Sequence, residues 1–269
     1  MSSQQWELGL TTDGPEEAPA LVLGHSLGSS HVMWDDVVPD LVPDLRVVRY
    51  DLPGHGGTQP APVDTPLTMG QLVAALLRSL DGIGVGTFHV GGLSLGGMVA
   101  LATAEYAGGR VSTASVMSSA PVNLPPRAWV EKAAAVRRDG TGPLAEPTME
   151  RWFSEGFRTG RGRDWVDRIR AEFLACSPEG YAQCCEVLAT TDLRPGLATI
   201  TAPVLLVSGE DDAALPWAAA DDLAGVLRAG TCPDVEVLRI PGVRHMSAVE
   251  EPATVARALL ARTGATARG

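Results

Sequence analysis

The chain has little sulfur chemistry to offer. It carries 4 cysteines in 269 residues; Cys176, Cys184, Cys185 and Cys232 form no Cys-x-x-Cys pair, and the adjacent Cys184 and Cys185 are poorly placed to bond each other. Buried free thiols are therefore expected, not a disulfide framework. No apolar run approaches the roughly eighteen uninterrupted residues of a membrane span. The start, Met1 to Leu10, has neither a positive segment nor an apolar stretch of the kind that directs secretion, so a cytoplasmic location is expected. Basic residues are outnumbered, 21 against 32 acids, and the formal net charge of −11 excludes a broad polyanion-binding face. Nucleic acid and membrane are thus not expected partners.

What is present describes an ordinary globular protein. Hydrophobic residues make up 45% and charged residues 20% of the chain, enough for a sizeable core. Short runs bounded by Gly, Pro or Asp read as buried strands: Ala20 to Gly24, Arg46 to Tyr50, Thr87 to Gly91 and Ser112 to Met117. Between the second and third, Leu72, Leu76, Leu77 and Leu80 recur at helical spacing after an N-cap at Thr65 or Thr68. This alternation of strand and helix predicts an α/β fold with a mostly parallel sheet flanked by helices. After Pro121 it stops, and Pro-punctuated, Arg-rich helical stretches run to about Leu193. It resumes with strands over Pro203 to Ser208 and Val235 to Ile240, a helix near Trp217 to Leu227 and a last helix from Glu251 to Arg262. The expected organisation is a core of residues 1–121 and 195–269 with a helical cap, 122–194, inserted once.

Chemistry enters at Gly92-Leu93-Ser94-Leu95-Gly96, which follows a strand and opens the apolar helix Met98 to Ala107. Gly-x-Ser-x-Gly in that context presents a serine at a sharp turn, with small flanking residues letting strand and helix approach. An unactivated serine is a weak nucleophile and needs a base, which in a fold of this kind comes after an acid further along the chain. Of the five histidines only His245 follows Ser94, and it lies in a loop between the last strand and the last helix. The acid is expected in Gly209-Glu210-Asp211-Asp212, with Asp212 preferred and Asp211 the alternative. Backbone amides of Leu95 and of Leu27, in the loop after the first predicted strand, would form an oxyanion hole. His25 and the turn Asp51 to Gly56 are read as architectural.

Taken together, these motifs resemble the α/β-hydrolase superfamily. His25 to Trp34, Val48 to Gly56, Arg151 to Phe157 and above all Ser177 to Arg194 are similar more narrowly to 3-oxoadipate enol-lactonases, from about Leu21 to Pro252. One departure is His25, where the family favours Asn. The resemblance implies an α/β-hydrolase fold with Ser94 as nucleophile, Asp212 as acid, His245 as base, and Leu27 and Leu95 as oxyanion donors. It also implies ring opening of an anionic lactone in aromatic catabolism, with no metal and no organic cofactor. A broader carboxylesterase and a cofactor-free haloperoxidase-like perhydrolase share the same triad. A hydrolase-fold ligand receptor is the alternative outside enzymes. A homo-oligomer, or fusion to a decarboxylase domain through the linker-like tail, is compatible with the sequence.

Charge is uneven along the chain. Residues 127–170 hold nine Arg and one Lys against seven acids, a local +3 that leaves −14 elsewhere. Such a segment could attract an anion, and a guanidinium binds a carboxylate through two parallel hydrogen bonds. Arg137, Arg138, Arg151 and Arg158, with Trp152 beside them, are the candidate substrate contacts.

Overall fold

The structure is a computed structural model that describes residues 6–265 except 63, 65, 124, 214 and 215. Its sheet has seven strands: β1 (Gly9–Asp13), β2 (Ala20–Gly24), β3 (Arg46–Asp51), β4 (Phe88–Leu93), β5 (Val111–Met117), β6 (Val204–Gly209) and β7 (Val235–Ile240). They lie in the order β1-β3-β2-β4-β5-β6-β7. Only β1 runs antiparallel, against β3. The sheet is thus mostly parallel and flanked by helices, as expected. Every residue of β2 and β6 is buried, which is why these strands read as unbroken apolar runs. The edge strand β1, GLTTD, is partly exposed throughout and offers no such run.

Helix α1 (Val38–Leu41) is a single turn, and α2 (Met69–Gly82) is a full amphipathic helix. Thr68 caps α2 reciprocally with Gln71: Gln71 N donates to Thr68 Oγ1 at 3.3 Å and Thr68 N donates to Gln71 Oε1 at 3.0 Å. The alternative cap, Thr65, lies outside the described residues. Helix α3 (Leu95–Tyr106) is buried along its whole course from Leu95 to Ala104, because it packs on β2, β4 and β5 while α2 covers it. This explains a sequence that is apolar all round.

Among the described residues five α-helices separate β5 from β6: α4 (Pro126–Asp139), α5 (Ala145–Trp152), α6 (Glu155–Thr159), α7 (Arg163–Ala175) and α8 (Pro178–Thr190). Helix α4 lies along α8, with Ala133 and Val136 buried in the contact. The two ends of this insert meet: Val122 and Asp192 form an isolated antiparallel bridge, and Leu193 N donates to Pro121 O at 2.9 Å. The chain closes with α9 (Trp217–Ala229), the single turn α10 (Ser247–Glu250) and α11 (Pro252–Thr263), which packs on α1 and β5. The four cysteines are buried and free. Among the described residues no helix is long and apolar enough to cross a membrane.

Candidate active site

Parallel strands deliver their C-terminal ends, and the loops that follow, to one rim of the sheet. Ser94 stands between β4 and α3 at φ 59°, ψ −117°, a left-handed conformation that a non-glycine residue holds only at a cost of about 1–3 kcal/mol. The surroundings enforce it. A Cβ on Gly92 would lie 2.3 Å from the backbone of Gly96, and a Cβ on Gly96 would lie 2.3 Å from the Gly24 carbonyl oxygen. Glycine at both positions therefore lets β4, α3 and β2 close on the serine.

Asp212 follows β6 and His245 follows β7. Both are buried, and Asp212 Oδ1 lies 3.0 Å from His245 Nδ1. With Nδ1–H donating to this carboxylate, Nε2 is left as the basic nitrogen. Glu210 and Asp211 are exposed; Glu210 accepts from Gly242 N at 3.0 Å and the Asp211 amide donates to Val243 O at 3.1 Å. Burial and the histidine contact thus distinguish Asp212 from its neighbours.

The loop after β2 is held by two other histidines. His25 Nδ1–H donates to Ser26 O at 2.8 Å while its Nε2 accepts from Leu52 N at 2.9 Å. His55 Nδ1–H donates to Pro53 O at 2.8 Å while its Nε2 accepts from Gly28 N at 3.0 Å. Each ring is fully buried and uses both nitrogens as a neutral imidazole. Burial depresses the affinity of both for a further proton, that of His55 down to about 3. Between them lies Leu27. Neither its amide nor that of Leu95 hydrogen-bonds another protein group among the described residues.

Ser94, His245, Leu27 and Leu95 line one cavity of about 330 Å³. Its other wall comes from the insert: Trp129 and Lys132 on α4, Arg151 and Trp152 on α5. Trp152 is stacked on His245, with ring centroids 6.2 Å apart and planes 24° from parallel. The same turn is fastened to the histidine loop. Met246 N donates to Trp152 O at 3.1 Å, and Arg244 reaches Glu150 O. The buried Glu250 carboxylate accepts from Arg244 N at 3.1 Å, from Ser154 N at 3.2 Å and from the Ser154 hydroxyl. Burial raises the Glu250 pKa above its ordinary value, and these donors oppose the shift.

The candidate arginines are not brought together. Arg137 pairs with Glu179 and Glu186, and Arg138 pairs with the neighbouring Asp139. Neither they nor Arg158 line the cavity, so the expected arginine contact narrows to Arg151. Carboxylates on the outer surface hold two of the others: Glu179 and Glu186 on α8 take Arg137, and the neighbouring Asp139 takes Arg138. Lys132, which sequence reasoning missed, does line the cavity. Its one distinguishing mark in the sequence is that it is the only lysine. Its Nζ sits 4.1 Å from the centroid of the Trp129 ring. Burial holds its pKa below the ordinary value; Cys185 opposes this shift, and the charge of Arg151 adds a smaller push in the same direction as burial. Among the described residues no cluster of three or more His, Cys, Asp or Glu side chains is placed to hold a metal ion.

Fold and cavity together define an α/β hydrolase, and the chain belongs to the alpha/beta hydrolase fold family, whose model matches residues 19–252. Within that family it is 33% identical to 3-oxoadipate enol-lactonase 1 of Acinetobacter baylyi, over 91% of this chain and 88% of that protein. It is 32% identical to a pimeloyl-[acyl-carrier protein] methyl ester esterase of Aromatoleum aromaticum, over 87% of this chain and 94% of the relative. Among solved structures it superposes on the enol-lactonase from Burkholderia xenovorans with a TM-score of 0.90 at 28% identity, covering 98% and 99% of the two chains. This chain is accordingly an ester or lactone hydrolase.

Proposed function

We propose that the protein opens 3-oxoadipate enol-lactone to 3-oxoadipate through a Ser94 acyl-enzyme. The observation that carries this reading is that the buried His245, paired with Asp212, lines one cavity with the strained Ser94. The 33% identity to an enol-lactonase over 91% of the chain supports the choice of substrate.

In this mechanism Ser94 Oγ attacks the lactone carbonyl and His245 Nε2 takes the hydroxyl proton. Asp212 fixes the ring tautomer and stabilises the imidazolium. Charge developing on the carbonyl oxygen meets the Leu27 and Leu95 amides, which are already oriented by their loops. Collapse breaks the acyl carbon–oxygen bond, and the enol oxygen departs with the proton from His245, then tautomerises to the ketone. Water, deprotonated by His245, releases the acyl group as a carboxylate. One water is consumed, and one carboxylate and one proton are produced.

A second reading, hydrolysis of an acyclic methyl ester, is supported by the Aromatoleum aromaticum relative at 32% identity. Purified protein assayed on the enol-lactone, a p-nitrophenyl ester and dimethyl pimelate separates the two. The lactone should have the highest kcat/KM; preference for the methyl ester would replace the substrate reading. Ser94→Ala should abolish turnover of whichever substrate is used, and an active Ser94→Ala protein would remove the mechanism itself.

A further inference from the structure

Asp51, Asp212 and Glu250 are the buried carboxylates among the described residues. The first two meet a histidine ring, Asp51 that of His31 at 2.9 Å and Asp212 that of His245 at 3.0 Å. Glu250, on the single turn α10, is 2% exposed and is held by backbone amides and a hydroxyl instead. A carboxylate kept out of water without a cation is costly, and an apolar side chain would fill the same space at less cost. Its two oxygens are divided between two segments. Oε1 accepts from Arg244 N at 3.1 Å; Oε2 accepts from Ser154 N at 3.2 Å and from the Ser154 hydroxyl, with a longer contact of 3.4 Å from Ser154 N to Oε1. Arg244 immediately precedes His245, and Ser154 follows two positions after Trp152, whose ring is stacked on that of His245. Met246 N, on the far side of the histidine, donates to Trp152 O at 3.1 Å. His245 therefore stands between two tethered amides, and one tether ends on Glu250.

The charged groups around α10 are mostly committed to other partners. Arg161, from the insert, reaches the main-chain oxygen of Glu250 and pairs with Glu251. His31, on the turn His31–Trp34 that packs on α10, pairs with Asp51, and Arg257, on α11, donates to Thr254 Oγ1. Burial favours the protonated form of Glu250; the Ser154 and Arg244 donors oppose it, as does the charge of Arg244, whose guanidinium reaches Glu150 O. We propose that Glu250 is a positioning residue for the base: its carboxylate, accepting with both oxygens, aligns His245 with Ser94, and a proton on it releases one of the two segments it joins. A protonated carboxyl carries its hydrogen on one oxygen, where it faces another donor. Glutamine has the same shape and the same defect at every pH, an NH2 group where a second acceptor is needed. The role rests on the hydrolase reading above, in which His245 is the base.

The experiment measures kcat and kcat/KM for a neutral p-nitrophenyl ester against pH, in the parent and in the Glu250→Gln, Glu250→Ala, Glu251→Gln and His245→Ala proteins. At neutral pH Glu250→Gln should lose about ten- to hundredfold in kcat, the scale of a misplacement of about 1 Å, with a melting temperature close to the parent's. Glu250→Ala should lose at least as much, and the isosteric glutamine keeps the test open if the alanine protein does not fold. Glu251→Gln, which breaks only the outer pair with Arg161, should retain the parent kcat. As pH falls the parent should lose activity on two protonations, of His245 and of Glu250, and Glu250→Gln on one. A Glu250→Gln protein with the parent kcat would overturn the proposal. So would a slower one whose acid limb matches the parent's, because damaged packing removes no proton from the profile. An active His245→Ala protein would remove the base itself and the positioning role with it, whereas an inactive one beside an unaffected Glu250→Gln removes the positioning role alone.

Discussion

The buried histidines His25, His55 and His245 occupy two kinds of environment. His25 and His55, under the loop that carries Leu27, spend both ring nitrogens on backbone groups and have no lone pair left for a substrate. His245, by contrast, gives one nitrogen to the Asp212 carboxylate and brings the rest of its ring to the cavity. Burial alone does not distinguish them, since all three are nearly inaccessible. What separates His245 from His25 and His55 is the partner: backbone groups fix a neutral ring, whereas a carboxylate prepares a ring to become positive.

The sharpest way to break this contrast is to remove the rings in turn. His245→Ala should lower kcat by several powers of ten with the melting temperature little changed, and combining it with Ser94→Ala should cost scarcely more than either alone. Additive losses in steady-state kinetics would place the two residues in different sites. Next in size, Asp212→Asn should reduce kcat by about 10⁴ through the wrong imidazole tautomer, while Asp211→Asn has a far smaller effect; the opposite ranking would transfer the role of the acid.

Replacing a supporting ring should instead cost stability. His55→Ala leaves the Gly28 amide and the Pro53 carbonyl without their buried partner and opens a cavity beside Tyr181, a loss of about 2–4 kcal/mol measurable by urea unfolding. The same ring predicts a pH dependence. Its folded-state pKa, about 3, lies below the ordinary 6.5, so between those values the unfolded chain binds the extra proton and the folded chain does not. Its contribution is complete above pH 6.5 and declines as pH falls toward 3, by up to about 1.4 kcal/mol per pH unit. A His55→Gln protein should show a shallower loss of stability than the parent between pH 6.5 and 4.5. His31 works in the opposite sense, because its hydrogen bond to Asp51 raises its pKa, so the comparison is made between proteins and not from one curve. The smallest effect is expected at Arg137. Its exposed pairs with Glu179 and Glu186 make Arg137→Ala worth about 1 kcal/mol or less of stability, with anionic and neutral substrates affected alike.

The six parallel strands were legible because each is a mainly apolar run closed by a turn residue; β2 and β7 coincide with the read ranges, and the other four differ by only a residue or two at an end. Only β1 escaped. GLTTD lies on an edge and is stabilised by its ladder with β3, which leaves no mark in its own residues. That Ser94 and His245 would meet at one cavity was legible from motif and chain order. Asp212 could be preferred over Asp211 but not separated from it, because adjacent residues have the same sequence context and differ only in which one the fold buries. The cation wall was the least legible part. Arg137 finds Glu179 42 positions away, and no local pattern reveals which basic residue will meet an acid on a neighbouring helix and which will face the cavity.

Glu250 leaves a consequence for anyone who would rebuild this enzyme. Its carboxylate ties Ser154, in the insert, to Arg244, one position before His245, and the backbone pair Met246–Trp152 runs alongside. The roof and the base are thus not separable modules. A chimera that grafts a foreign set of helices between β5 and β6 must bring a turn that satisfies Glu250 and receives Met246, or it will misalign His245 while leaving Ser94, Asp212 and His245 unchanged in sequence. Swaps that retain residues 150–154 and exchange only α4, α7 and α8 should be the ones that keep turnover and change what is turned over.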